Sequence, residues 1–164
     1  MPAARMVVKP VLAVLAIAAL AVPLGAQKAG RTIDIPERLQ GADAAVVARV
    51  AKVTSTLERN RWGDELIVSH AVLEVQETLK GRPLRYHSVA IEGGTHGGYT
   101  MRVSDLPEVA VGERGVFLLK GEAGGAEVPH LRGLGILMLD ETDHVRGSSL
   151  SLETIRAMSR QVEQ

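Results

Sequence analysis

Residues 91–103, IEGGTHGGYTMRV, set Thr95 and His96 between two Gly-Gly pairs, Gly93-Gly94 and Gly97-Gly98. Glycines around a histidine are the ingredients of a phosphate cradle, a metal-binding loop or a lid that carries a general base. A Walker-type phosphate loop needs Gly-Lys-Ser/Thr opening a helix, so that main-chain N–H groups and a lysine meet the anion. Here Tyr99, Thr100 and Met101 follow, without lysine and with strand chemistry. The dinucleotide spacing G-x-G-x-x-G fails too, because Thr95 stands where its second glycine belongs.

The five histidines, His70, His87, His96, His130 and His144, form no H-E-x-x-H or H-x-H pair. His70 and Glu74 fall on one face of a strand, but four residues at ~3.4 Å each separate them by roughly 13 Å, too far to chelate one ion. The acidic run Asp140 to His144 lacks the alternating carboxylates of a calcium loop and reads as a solvated turn. Ser69-His70, Thr95-His96 and Ser148-Ser149 supply the residue types of a hydrolase without a G-x-S-x-G elbow. The reading is therefore no catalytic residue, no metal site and no cofactor. A metal-assisted hydrolase would need His96 to meet histidines from other strands.

Binding chemistry is better represented. Trp62, the sole tryptophan, lies in the turn sequence RNRWGD beside Arg59 and Arg61, while Tyr99 follows the His96 loop. An aromatic ring with a polar edge on a turn is a suitable anchor for a protein or glycan. The candidate binding residues are Trp62, Arg59, Arg61, His96 and Tyr99. Single-stranded nucleic acid also needs aromatics beside cations. Arg85 and Tyr86 would extend that mixture, but the charge balance, 19 basic against 19 acidic residues, offers no basic footprint.

The N-terminus bears on location. Arg5 and Lys9 precede an apolar run from Val11 to Val22, and Pro23, Leu24, Gly25 and Ala26 provide a small-residue cleavage site. That layout predicts a secretory signal peptide over 1–26, cleaved near Ala26, with residues 27–164 as one exported, soluble domain in the periplasm or medium. The run is short for a membrane span, which takes about 20 apolar residues. Contact with membrane is expected only through the signal peptide before cleavage. Loss of Arg5 and Lys9 leaves 17 basic against 19 acidic residues. The absence of cysteine removes disulfides and thiol chemistry, so burial alone must hold the core.

Those residues have to be positioned by strands. IPERLQGAD reads as a short helix with Pro36 in its first turn and Gly41 at its end. Residues 44–57 alternate as a strand should, and 65–79 place Ile67, Ala71, Leu73, Val75 and Leu79 on one apolar face. Further strands are expected at 84–92, 99–104 and 114–121. A segment at 126–131 is assigned to a sheet edge because Pro129 cannot donate to a central ladder. The 93–98 stretch is expected as a wide, flexible turn with His96 at its exposed tip. Leu152, Ile155, Met158 and Val162 form the stripe of a C-terminal amphipathic helix over 151–163, capped by Ser151. Many short strands without alternating helices predict an all-β, antiparallel barrel of about seven strands, with its core at 36–146.

The order of GADAAVVARV, VQETLKG and GGYTMRVSDLPEVAVGERGVFLL resembles a family of small exported bacterial β-barrel proteins. These are similar to OB-folds of the netrin and tissue-inhibitor-of-metalloproteinases type, and some accompany matrixin-like proteases. The resemblance implies an OB-like barrel and a binding role over roughly residues 36–140. It does not imply the inhibitors' zinc-directed mechanism, which uses an amino-terminal cysteine that this chain lacks. The expectation is a non-catalytic module presenting the 58–64 turn and the 93–98 loop to a protein of the envelope or extracellular space, an extracytoplasmic protease being one candidate. A glycan-binding OB-like domain is the alternative binding class.

Overall fold

The computed structural model describes residues 34–60, 62–121 and 125–162. The signal peptide assigned to 1–26 lies outside the described residues, as does Arg61. Asp34 caps the first helix, its carboxylate accepting from Glu37 N at 3.1 Å, and Pro36 occupies the first turn where no N–H is needed. That helix, α1 (Ile35–Gly41), leads into the two longest strands, β1 (Ala44–Arg59) and β2 (Glu65–Lys80). They are followed by β3 (Tyr86–Glu92), β4 (Gly94–His96), β5 (Tyr99–Met101), β6 (Arg114–Gly121), β7 (Glu127–Pro129) and β8 (Ile136–Met138). A 3-10 turn, Arg132–Gly135, precedes β8, and α2 (Leu152–Val162) closes the described chain. Mostly β structure with a helix at the C-terminal end agrees with the pattern of the sequence.

The pairings of the main sheet run β1-β2-β3-β7-β6 and return to β1, with β8 sharing the β7 edge of β6. The sheet is therefore ring-like. Two details differ from expectation. β7 is not an edge: it pairs antiparallel with β6 and parallel with β3, through Val89 and Glu127. Pro129 is accommodated because it sits at the last position of a three-residue strand, opposite Leu119. This parallel step also means that the sheet is not purely antiparallel. β4 and β5 form a separate two-stranded sheet, bringing the strand count to eight among the described residues.

β1 explains how one sheet supports two cores. Residues 44–48 are buried on both faces. Ala44, Val46 and Ala48 point into the ring with Leu73, Val89, Ile91 and Phe117, whereas Ala45 and Val47 face the helices. The outer core joins them to Leu39 of α1 and to Leu152 and Ile155 of α2. Ser151 Oγ caps α2 by accepting from Thr154 N at 3.2 Å. Ser159 Oγ, buried, donates to Leu79 O at 2.6 Å and fixes the helix against β2.

Charged surface contacts give the fold a definite acid response. The Lys120 ammonium and Gly121 N–H hold Asp43 below the usual carboxylate range, the Arg132 guanidinium does so for Asp105, and His144 and Thr142 do so for Asp140. Burial, with help from the Lys120 charge, depresses His130. All four shifts share one sign. A folded-state pKa below the unfolded value means that the unfolded chain binds more protons, so stability is held above the ordinary range and lost as pH falls. Melting temperature should decline first through about pH 6.5, where the unfolded chain's His130 takes its proton, and again below about pH 5. Thermal melts from about pH 8 to pH 4 check this; a flat profile would contradict it.

Candidate functional site

The ends of β1 and β2, residues 57–59 with 65–67, form a two-stranded arm. β6 follows β1 only as far as Arg49, and β3 follows β2 from Glu74 only to Val68, so the segment around the β1–β2 turn extends past both. The turn itself is braced. Asn60 N donates to Asp64 O at 2.9 Å, and Asn60 Oδ1 accepts from Trp62 N and Asp64 N, both at 2.9 Å. Asn60 Nδ2 adds a bond to Asp64 Oδ2 at 3.1 Å. Asn60 is the residue type that can satisfy a turn in this way, which fixes the main chain under Trp62. Trp62 is 72% exposed. Behind it, Arg59 pairs with Glu65 at 3.1 Å across the strands.

The Gly-rich stretch is a tight hairpin, not a wide loop. His96 pairs with Tyr99 and Thr95 with Thr100, whose hydroxyls lie 2.9 Å apart. Gly97 and Gly98 make the two-residue turn, with φ of 57° and 82°, values that suit glycine at both positions. The first glycine pair has a different duty. A Cβ on Gly94 would lie 2.2 Å from Ser69 Oγ and 2.6 Å from Ser55 Oγ, so only glycine lets the hairpin settle on the arm. Ser55 and Ser69 bond each other at 2.9 Å, and Ser69 Oγ donates to Gly93 O at 2.6 Å. His96 is consequently tethered, its Nδ1–H donating to Ser55 O at 2.9 Å. Tyr99, 79% exposed, projects from the docked hairpin.

Between this hairpin and the 102–108 segment lies a cleft of about 280 Å³. Ile91, Met101, Leu106 and Pro107 supply its apolar lining, and Thr100 and Ser104 lie among its polar groups. Arg132 holds the far wall in place: its guanidinium reaches Asp105 at 2.7 Å and Glu92 at 2.9 Å. Those two carboxylates raise the Arg132 pKa above its ordinary value. The segment is also close-packed, since a Cβ on Gly133 would meet Asp105 O at 1.7 Å.

No protein-family model matches the chain, and no curated protein matches it.

Of the candidate binding residues, Trp62 and Arg59 lie at the end of the arm and His96 and Tyr99 on the hairpin docked against it. Arg85 and Tyr86 stack with each other, the guanidinium 5.3 Å from the ring centre, but Tyr86 pairs with Glu74, far along β2 from the Trp62 turn. The histidines disperse. His70 meets Glu58 at 2.5 Å on the opposite strand face from Ser69, and its imidazole, with the Thr56 hydroxyl, lowers the Glu58 pKa. His87 is buried inside the ring, bonded through Nδ1 to Glu127 at 2.5 Å, with Nε2 unpartnered among the described residues. Asp140 Oδ1 is occupied by its own turn, accepting from Thr142 N and His144 N. Among the described residues no three His, Asp or Glu side chains gather as a metal-ligand set. Two features carry no mark in the sequence. Leu57 is 52% exposed on the arm, and Leu106 lines the cleft. The alternation of 53–57 does not show which strand face the rest of the fold leaves uncovered.

Proposed function

We propose that this chain is an exported, non-catalytic protein-binding module, built as a small OB-like barrel and presenting its arm and docked hairpin to an envelope or extracellular partner. The observation that carries the reading is the exposure of the only tryptophan, 72%, on a turn braced by Asn60. Tyr99 adds a second exposed ring, and the cleft adds an apolar recess beside it. Rigid, exposed aromatic rings lose little conformational freedom on binding and dominate interface energetics when buried. The five-membered ring of strands suits an OB-like barrel, in which the turn between the first two strands is one of the ligand-contacting loops. This is the turn that carries Trp62. Export rests on the Arg5, Lys9 and Val11–Val22 pattern with its small residues before Gln27. An extracytoplasmic protease is the partner class suggested by the resemblance of the sequence to netrin-like barrels. Without a cysteine, it would be engaged through side chains of the arm.

Capture from an exported fraction, wild type against Trp62→Ala, tests the proposal. Trp62→Ala is expected to leave stability within about 0.5 kcal/mol, as an exposed substitution should, while the captured partner is lost. Equal capture by both proteins would remove Trp62 from the interface.

A further inference from the structure

Beyond the ring, β1 presents an open edge. Ala44–Arg49 pair with β6, and Val50 exchanges 2.8 Å hydrogen bonds with Gly112 N and Glu113 O. From Val53 to Arg59, β2 is the only strand partner among the described residues. The direction of the free groups follows from neighbouring bonds. Ile67, opposite Leu57, gives its carbonyl to Gly93 N on the β3 side, while Ser55, opposite Ser69, turns its carbonyl away from β2 to His96. Antiparallel ladders alternate bonded and non-bonded pairs, so Val53, Ser55 and Leu57 all direct N–H and C=O outward. Leu57 is half exposed at the same edge.

We propose that this edge pairs antiparallel with the same edge of a second copy of the chain, about a two-fold axis at Ser55. The charges select that partner and that register. Lys52 and Glu58 lie three residues to either side of Ser55, on the face opposite to its side chain. Two-fold pairing there sets Lys52 against Glu58 of the partner subunit, twice. It also sets Val53 against Leu57 of the partner subunit, covering the exposed leucine, and Thr54 against Thr56 of the partner subunit. The outward parity of Val53, Ser55 and Leu57 makes these the hydrogen-bonded positions, giving about six main-chain bonds. Moving the axis to Thr54 or Thr56 leaves both charges without an opposite. Charged residues commonly protect an edge from pairing; this symmetric pair of opposite sign favours it instead. The groups are available. Glu58 uses Oε1 for both His70 and Thr56, leaving Oε2, and Lys52 has no ion partner among the described residues. Pairing replaces the His96 N–H at Ser55 O with a main-chain N–H, so His96 acts as a removable cover.

This inference does not rest on the partner-binding reading, and Trp62→Ala should leave the dimer unchanged. The test is sedimentation velocity over about a hundredfold range of concentration, on the chain expressed with its own N-terminus and checked for folding by circular dichroism. A concentration-dependent dimer is expected, weakened about tenfold by Lys52→Glu and restored by Lys52→Glu with Glu58→Lys. His96→Ala should tighten it. A monomer throughout, or a dimer indifferent to Lys52→Glu, would overturn the pairing; a weakened dimer not recovered by the double exchange would overturn the Ser55 register.

Discussion

Gly135→Ala is expected to cost more than about 3 kcal/mol, at the severe end for a single substitution. Gly135 ends the 3-10 turn before β8 and is buried. An added Cβ would stand 2.3 Å from His130 O, 2.8 Å from His130 N and 2.9 Å from Leu118 O. All three are main-chain atoms, so no side chain can swing aside. His130 N is bonded to Leu118 O at 2.7 Å, and the other end of the turn carries Arg132, clamped to Glu92 and Asp105. Relief must break one of these attachments. Urea unfolding followed by far-ultraviolet circular dichroism is the suitable measurement, because an indole already exposed in the folded state reports unfolding weakly. A loss below about 1 kcal/mol would mean that the turn yields without disturbing the sheet.

The second large effect is expected at Phe117, the only phenylalanine and fully buried inside the ring. It pairs with Val46 on one side and Ile136 on the other, among Leu73, Val89 and Ile91. Valine and isoleucine are stiff at χ1, so the walls collapse poorly around a deleted ring. Phe117→Ala should therefore cost about 3–5 kcal/mol, through lost transfer energy and the cavity left behind. Phe117→Leu, nearer in volume, should cost less than about 1.5 kcal/mol. Equal losses in the two variants would show that the ring is not packed to its walls.

Local chemistry was legible wherever one segment determines its own structure. Pro36 and Gly41 mark α1, the apolar stripe from Leu152 to Val162 marks α2, and alternation marks β2 as far as Val75. Leu79, expected on the same face, packs in the helix-side core instead, because the β1–β2 register shifts before it. The alternation expected from Ala44 onward fails over Ala44 to Ala48, because a strand buried on both faces has no two-residue burial period. The place of β7 was not legible either. Pro129 argues locally for an edge, whereas its seat in the ring depends on Val89 and Leu119, contacts distant in sequence. The glycines around His96 were visible, but not their separate duties. Gly97-Gly98 form a tight turn; Gly94 makes room for Ser55 and Ser69, whose meeting depends on the β1–β2 register. The exposure of Trp62 and Tyr99 was legible because both neighbour turn chemistry. The cleft draws its lining from Ile91 and Leu106, distant in sequence, and the exposure of Leu57 depends on which strand face the rest of the fold covers.

The central claim is that the arm binds a protein through Trp62. Its most direct test is capture from an exported fraction with wild-type protein, Trp62→Ala and Tyr99→Ala, all shown to melt alike. The account predicts a partner retained by wild type and lost with Trp62→Ala. A partner captured equally by all three proteins would contradict it.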